Sequence, residues 1–220
     1  MTNQSKNNPV DTIAILGITG RTGIQLCSQL LEKQYKIKAL VRNSAKIHLQ
    51  HSNLEVIVGN VENPSDLNKL VQGSDAVISV LGHAKNTPPR FQTNVMEQLI
   101  AVMKANECKR IIVLTGSGVP FEYDQNTFAN IFINFFIKNL AKNRFRDGML
   151  QCEVLKNSNL DWTVVRTPIL TNNKTITLNY YRGYKAPGFL NYISRANVAH
   201  FIVEEMEKNN FIQKSPFIWT

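Results

Sequence analysis

The sequence lacks any apolar run of the ~20 residues that a membrane-spanning helix needs. Residues 1–10 are mostly polar and also lack the apolar stretch of a secretory signal peptide. We therefore expect a flexible N-terminal tail over residues 1–10 and a cytoplasmic protein without a membrane span. Internal repeats, low-complexity tracts and linkers are also missing, which predicts one domain over residues 11–220.

Cysteine is scarce, with three in 220 residues. Cys27, Cys108 and Cys152 lie far apart, and no pair has the C-x-x-C spacing that is typical of zinc sites and redox motifs. An odd number of distant cysteines argues against a disulfide framework and favours buried, reduced thiols. The four histidines show no ligand spacing with these cysteines, so we expect no metal site.

Acidic residues are also few, because 16 Asp and Glu face 25 Lys and Arg and leave a net charge of +9. Such a charge suits a nucleic acid, an anionic membrane surface or an anionic small molecule. The basic residues are scattered, apart from a local cluster of Lys138, Lys142, Arg144 and Arg146. Since a nucleic-acid partner would rest on charge alone, we expect a small-molecule ligand and no nucleic acid.

Three glycines follow an apolar run near the N-terminus at a fixed spacing. Residues 13–16 are apolar and lead into Gly17, Gly20 and Gly23, and an amphipathic stretch over residues 22–31 follows at once. This order predicts a strand, a glycine turn and a helix, which is where α/β proteins bind the diphosphate of a dinucleotide. The glycines allow a sharp turn, a close approach to phosphate and tight packing of the helix. The alternative is a tight turn that binds no ligand.

Apolar runs and amphipathic stretches alternate along the rest of the chain. The pattern predicts further strands over residues 35–42, 54–59, 75–82, 109–115, 160–166, 174–181 and 216–219. It predicts one helix with Ser65 as its N-cap. It predicts further helices over residues 91–105 and 147–157 and within residues 193–208. The strand-then-helix order indicates an α/β fold, a doubly wound and mainly parallel Rossmann-like sheet with helices on both faces.

Aromatic residues recur at helical spacing over residues 128–140. We consider three interpretations of this stretch. It could be a helix that packs on the body of the protein or on another subunit, or a membrane-surface helix backed by the basic cluster. It could also form an apolar wall for a flat substrate.

The end of the second predicted strand bears on the choice of cofactor. NAD-binding sites usually carry Asp or Glu there to accept a hydrogen bond from the ribose 2′-hydroxyl, but residues 34–46 contain no acid. Arg42 stands there instead, and an arginine can bind the 2′-phosphate of NADP through a fork of hydrogen bonds. One charge-assisted hydrogen bond, worth roughly 1.5–3 kcal/mol, favours NADP over NAD by roughly tenfold to a hundredfold. Arg21 is a second candidate contact, and the alternative is that Arg42 and Lys46 are solvated loop charges.

The glycine motif G-I-T-G-R-T-G at residues 17–23 is similar to the G-A-T-G-x-T-G of atypical short-chain dehydrogenases in the NAD(P)-binding, NmrA-like group. Further matches follow in order at residues 40–42, 59–61, 75–82 and 160–168. Within this group the chain most resembles the flavin reductase/biliverdin-IX-beta reductases, and the resemblance covers about residues 11–219. It implies a Rossmann-like fold with NADP(H) as the cofactor.

The resemblance also implies which residues surround the phosphates, adenine, ribose and nicotinamide of the cofactor. They are Gly17, Thr19, Gly20, Arg21, Thr22, Gly23, Arg42, Lys46, Asn60, Val61, Leu81, Gly82, His83, Thr115, Gly116, Thr167 and Pro168. Asn60 stands where the family more often has Asp. Ser117 is the candidate catalytic residue, because its hydroxyl could polarise a substrate oxygen; a structural loop serine is the alternative.

One catalytic feature of short-chain dehydrogenases is missing. Those enzymes combine Ser with a Tyr-x-x-x-Lys pair, in which the lysine lowers the pKa of the tyrosine so that it can act as a general acid. The only tyrosine soon after Ser117 is Tyr123, and no lysine follows it at helical distance. Tyr181 and Lys185 have the formal spacing, but they lie beyond the sixth predicted strand, and we interpret this match as chance.

Together these features predict an NADPH-dependent reductase that transfers hydride to a flat acceptor such as a flavin, a tetrapyrrole or a quinone. Without a Tyr–Lys pair, the protein would position the reactants and solvent would supply the proton. The alternative is a non-catalytic NADP(H)-binding redox sensor that acts through a protein partner. We expect a monomer or a homodimer. A sugar-nucleotide epimerase is disfavoured, because such enzymes need the Tyr–Lys pair.

Overall fold

The computed structural model of the protein describes residues 10–47, 49–83, 87–125 and 142–220. The predicted tail, apart from Val10, and the aromatic stretch at residues 128–140 lie outside the described residues, as does Lys138 of the predicted basic cluster. Within the described ranges, no helix is both long and apolar enough to cross a membrane. The same ranges contain no group of three or more His, Cys, Asp or Glu residues that could hold a metal ion.

An eight-stranded sheet forms the centre of the described structure. Its strands are β1 (Thr12–Leu16), β2 (Lys36–Val41), β3 (Leu54–Val58), β4 (Ala76–Ser79), β5 (Arg110–Gly116), β6 (Asp161–Thr167), β8 (Tyr181–Gly183) and β10 (Phe217–Trp219). They lie in the order β3-β2-β1-β4-β5-β6-β10-β8, and only the pairing of β10 with β8 is antiparallel. The strand order reverses between β1 and β4, and sheets of this kind bind ligands beyond the carboxyl ends of their strands at such a point.

Helices cover both faces of the sheet. They are α1 (Arg21–Glu32), α2 (Pro64–Val71), α3 (Phe91–Ala105), α4 (Lys142–Lys156) and α5 (Arg195–Lys208), together with a 3-10 turn at Ser44–Lys46. One core layer contains Leu26 of α1 and Phe201 of α5. The other contains Leu67 of α2, Leu99 of α3 and Leu155 of α4. The predicted doubly wound, mainly parallel α/β fold is therefore confirmed.

Inner strands such as β1 are unbroken apolar runs because both of their faces are buried. In β1, Ile13 and Ile15 belong to one core layer, whereas Ala14 and Leu16 belong to the other. Successive side chains of a strand point to opposite faces, so a strand covered on both sides needs apolar residues at every position.

The prediction of a strand over residues 174–181 is wrong. Residues 172–180 form no strand, and Leu178 is 70% exposed. The backbone N–H of Thr177 donates to the side chain of Asn197 on α5 at 2.9 Å, so a helix side chain takes the place of a strand partner. Two short strands on either side of this region, β7 (Ile169–Thr171) and β9 (Tyr192–Ser194), pair in parallel as a separate ribbon.

Two predicted helix starts also change. The N-cap of α2 is Asn63, whose side-chain oxygen accepts from the N–H of Ser65, so Ser65 lies inside the helix. Pro64 occupies the first turn, where its missing N–H costs nothing. Helix α4 begins at Lys142 rather than at residue 147.

All three cysteines are buried and free, as predicted. Burial raises the pKa of Cys27 to about 11 and the pKa values of Cys108 and Cys152 to about 12. The thiols are therefore protonated near neutral pH and pack as small apolar groups.

Candidate functional site

The turn between β1 and α1 depends on residues without a Cβ. Gly17 has a φ of +91°, and an added Cβ would lie 2.8 Å from the backbone of Val80. A Cβ on Gly23 would overlap the carbonyl oxygen of Gly17, so α1 packs directly against the turn. Gly20 is the N-cap of α1 and offers no capping side chain. The first N–H groups of the helix are therefore available to an anion.

A cavity of about 720 Å³ opens at the carboxyl ends of β1, β4, β5 and β6. That volume is typical of small-molecule sites. Thirteen predicted cofactor residues line it: Gly17, Thr19, Gly20, Arg21, Thr22, Arg42, Leu81, Gly82, His83, Thr115, Gly116, Thr167 and Pro168. A recess of about 290 Å³ shares Gly17, Thr19, Arg42, Leu81 and Gly82 with this cavity, and it adds the predicted residues Asn60 and Val61.

Three of the predicted site residues line neither the cavity nor the recess. Gly23 lies beneath the turn, as described above. Lys46 lines a separate groove, which also contains Ile18 and Cys27. Ser117 lies between two cavity-lining glycines, and its backbone N–H donates to the carbonyl oxygen of Thr167 at 2.8 Å.

The cavity carries a strong positive charge. Arg21, Arg42, Arg144 and Arg195 line it, and none of its described lining residues is acidic. The guanidinium of Arg195 donates to the carbonyl oxygens of Leu170 and Thr171 and to the side-chain oxygen of Asn172, at 2.7–3.1 Å. Burial and the nearby Arg21 lower the pKa of Arg195. Since like charges converge on one space, the site is suited to an anionic ligand.

An apolar wall forms another part of the cavity lining. Its members come from β5, the loop after it, α4 and the segment after β6, and they include Leu114, Val119, Phe145, Pro168 and Leu170. The sequence interpretation missed Leu114, Val119 and Phe145, whereas the family resemblance had implied Leu170 beyond Pro168. It also missed Gln92, Arg144, Gly148 and Arg195 as cavity residues. Phe145 and Gly148 are three positions apart on α4, a spacing that places both on one helix face, but the face that meets the cavity depends on packing.

Asp147 on α4 is a buried carboxylate beside the cavity, with its side chain 1% exposed. One oxygen, Oδ1, accepts from the backbone N–H and the hydroxyl of Thr93 at 3.0 and 2.6 Å. The other, Oδ2, accepts from the N–H of Gln92 at 2.9 Å and lies 3.0 Å from Nε2 of His83. Burial alone would raise the pKa of Asp147, but the hydrogen bonds from Thr93, Gln92 and His83 outweigh it and hold the pKa below its ordinary value. Asp147 therefore remains ionised and caps the first turn of α3.

A second buried carboxylate supports the apolar wall. Asp124 pairs with both terminal nitrogens of Arg166, whose side chain is fully buried. The same guanidinium donates to the carbonyl oxygen of Val119 at 2.9 Å and stacks on the ring of Phe217. Forked pairs of this kind restrict geometry as well as adding energy. Arg166 thus holds the loop that presents Val119 to the cavity.

The tyrosines considered from the sequence do not form a catalytic pair. The hydroxyl of Tyr123 accepts from the N–H of Ser215 at 2.6 Å, and burial raises its pKa to about 12. The hydroxyl of Tyr181 accepts from the backbone N–H of Lys185, and its ring stacks on Trp219. Neither tyrosine lines the cavity. Among the residues described there, no Tyr–Lys pair is present.

Comparison with known protein families identifies the family of the chain. The sequence pattern of a family described as NAD(P)H-binding matches residues 17–209, beginning at the first glycine of the turn. The chain belongs to this NAD(P)H-binding family. The match confirms the resemblance to the atypical short-chain dehydrogenases and identifies a Rossmann-fold domain that binds NAD(P)H.

Individual relatives agree with this assignment. A cyanobacterial protein of Synechocystis, named "Putative dihydroflavonol 4-reductase", is 32% identical over 91 residues, which are 39% of this chain. The chain spans only 26% of that relative's length.

Solved structures show the same fold at low sequence identity. A short-chain dehydrogenase/reductase from Veillonella parvula, determined in complex with NADP, has a TM-score of 0.77 and 20% identity over 95% of this chain and 94% of its own. ChuY, an anaerobillin reductase from Escherichia coli O157:H7, has a TM-score of 0.76 and 17% identity over 94% of this chain and 96% of its own.

The described cavity fits a dinucleotide. The glycine turn leaves room for a phosphate at the start of α1, and the arginines supply positive charge. The recess at Asn60 and Val61 extends the site past Arg42, in the direction in which the carboxyl ends of β2 and β3 lie. The cavity and the recess therefore combine a phosphate-sized opening at a helix start, positive charge and apolar surface.

Proposed function

We propose that the protein is an NADPH-dependent reductase that transfers hydride to a flat aromatic or quinone-like acceptor. The observation that carries this proposal is one cavity that is lined together by the glycine turn, four arginines and an apolar wall. A cofactor and a flat acceptor need these features side by side.

Residues of the turn and of the neighbouring strand ends would hold the cofactor. The N–H groups after Gly20 would bind the diphosphate, and Arg42 would bind the 2′-phosphate that distinguishes NADPH from NADH. Asn60 and Val61 would flank the adenine, while Thr115 and Thr167 would lie near the nicotinamide. Bound NADPH would supply the hydride; the protein would position the acceptor and exclude water.

The apolar wall supports a flat acceptor. Phe145 and Val119 offer surface on which a ring can stack, and Arg144 beside them offers charge to an acidic substituent. The similarity to a reductase of anaerobillin places tetrapyrroles among the acceptors to be tested first, together with flavins and quinones.

Ser117 remains our candidate for polarising a substrate oxygen. Its position between Gly116 and Gly118 keeps it at the cavity margin, whereas the bond from its N–H to Thr167 supports a structural role. We expect Ser117→Ala to lower kcat by about tenfold if the hydroxyl contacts the substrate. An unchanged kcat would assign Ser117 to the structure of the loop.

The test is NADPH oxidation by the purified protein with FMN, a small quinone and biliverdin as separate acceptors. We expect turnover with at least one of them and slower turnover with NADH. Tight binding of NADPH without turnover on any acceptor would favour the redox-sensor alternative, for which a protein partner would then be sought. No binding of either cofactor would contradict both functions.

A further inference from the structure

His83 lines the cavity, and a hydrogen bond to Asp147 fixes the orientation of its ring. The side chain of His83 lines the cavity and is 14% exposed, and its Nε2 lies 3.0 Å from Oδ2 of Asp147. Among the residues that the structure describes, none bonds the other ring nitrogen, Nδ1. The ring is therefore anchored on its buried side and leaves one nitrogen for a ligand.

The anchor fixes the ring chemically as well as sterically. Asp147 is ionised and accepts three further hydrogen bonds from the first turn of α3, so its carboxylate cannot rotate freely. Because an ionised carboxylate only accepts, Nε2 of His83 must carry the hydrogen in this bond. A proton that enters or leaves the ring then does so at Nδ1.

We infer that His83 is the proton donor of the reaction, positioned by Asp147 in place of the missing Tyr–Lys pair. This inference rests on the reductase function proposed above, and it replaces solvent as the immediate source of the proton. The acceptor takes a hydride, and with it two electrons, from the bound NADPH, which becomes NADP⁺. A nitrogen or oxygen of the acceptor takes the proton from Nδ1, and the N–H bond of the imidazolium breaks. Water then returns a proton to His83, so one NADPH and one proton are used for each acceptor reduced.

Both negative and positive side chains lie near His83. Asp147 from α4 bonds the ring, and Arg144 from the same helix lines the same cavity. Arg21, Arg42 and Arg195 also line it and add positive charge. At the start of α3, Arg90 is paired with Glu97. A bound anionic cofactor would neutralise the cavity arginines.

The decisive variant is His83→Gln. The glutamine amide can still donate a hydrogen bond to Asp147, but it cannot deliver a proton. We expect kcat with a quinone to fall by about a hundredfold, a much larger factor than any change in the Kd for NADPH. The wild-type rate should decline as rising pH removes the proton from the donor, and the variant should lack that decline. His51→Gln is the matched control, because His51 is exposed and does not line the cavity. Asp147→Asn is less suitable here, since it would also uncap α3.

A second readout does not depend on turnover. Nitrogen NMR of the wild-type protein should show a His83 ring, identified by the signal that is absent from His83→Gln, with a hydrogen on Nε2. A His83 ring without a hydrogen on Nε2, or a variant with unchanged kcat and pH profile, would overturn the inference and leave the reductase proposal intact. A variant with unchanged kcat and a Kd for NADPH raised tenfold or more would also overturn it, because His83 would then be a cofactor contact. A wild-type protein that reduces no acceptor would overturn both the reductase proposal and the donor role.

Discussion

The carboxylate of Asp147 joins three parts of the molecule through one side chain. It lies on α4, it caps α3 through Gln92 and Thr93, and it bonds His83 at the end of the β4 segment. A buried carboxylate is stable only when its oxygens are fully bonded, and all four of these contacts come from the protein. The same residue therefore stabilises the helix pair and orients a cavity side chain.

Asp147→Asn should destabilise the protein by about 3 kcal/mol near neutral pH, because an amide nitrogen would face donor N–H groups. The folded state lowers the pKa of this carboxyl. Its contribution is therefore complete above the ordinary pKa of about 4 and is lost as the pH falls through the lowered value. Urea unfolding near pH 7 and near pH 3 should show a wild-type advantage that shrinks in acid.

The matched control for this prediction is Asp11→Asn. Asp11 is exposed, and its ion pair with Lys36 lies at the surface, so its loss should change stability by about 0.5 kcal/mol or less. Equal losses for the two variants would show that burial of Asp147 adds nothing.

Arg42→Ala should reduce the preference for NADPH over NADH by about tenfold to a hundredfold, because a charge-assisted bond to the 2′-phosphate would be lost. Lys46→Ala should have a smaller effect, since Lys46 lines a separate groove. Binding titrations with both cofactors measure the ratio directly. Lys109→Ala, an exposed cation at the start of the β5 region, is the control. An unchanged ratio in Arg42→Ala would reject this role.

At the scale of single residues, the sequence identifies site candidates that can be recognised from their immediate sequence neighbours. The position of Arg42 at the cavity could be predicted because it follows a strand in a segment without acids, and both features are local. Asp147 could not, because Thr93 and His83 are 54 and 64 positions away and only helix packing brings them together. An aspartate in a polar stretch of sequence is indistinguishable from a solvated one until its neighbours in space are known.

The element that organises the site is the turn from β1 into α1. Its strand is buried on both faces, its glycines admit close backbone contact, and its helix begins without a side-chain cap. Each of these properties can be recognised from a few consecutive residues. The predicted strand, glycine turn and helix are therefore confirmed as structural elements. The atoms that contact the three glycines differ from one glycine to the next.

Gly23→Ala should disrupt the turn, because the added methyl group would overlap the carbonyl oxygen of Gly17 and the backbone of Ile18. We expect a loss of about 1–3 kcal/mol of stability and a large loss of NADPH affinity. Gly82→Ala is the control for folding, since nothing lies within 4 Å of its added Cβ. Thermal unfolding of both variants tests this, and equal unfolding temperatures would contradict the packing role of Gly23.

The failed strand prediction shows the limit of periodicity. Residues 174–181 alternate as a half-buried strand does, but alternation alone names no partner strand. In the fold, Asn197 of α5 bonds this segment, and β10 pairs instead with the short strand β8. Strand partners are a property of topology, which a local pattern does not contain.

At the scale of the whole molecule, the reversal of strand order beside β1 brings distant segments to one edge. The turn at Gly17, the end of β4, the end of β5 and the segment after β6 all contribute to one cavity. The sequence predicted this convergence because parallel strands with helical crossovers end at the same edge. The sequence could not predict the apolar wall, since the orientation of α4 and the Arg166–Asp124 pair depend on three-dimensional packing.

The most direct test is a pair of fluorescence titrations of the purified protein, one with NADPH and one with NADH. We expect saturable binding of both cofactors and a Kd for NADPH at least about tenfold lower, because only NADPH carries the 2′-phosphate that Arg42 would bind. Equal affinities would contradict the assigned preference for NADPH. The absence of binding by either cofactor would contradict the assignment of the cavity as the dinucleotide site.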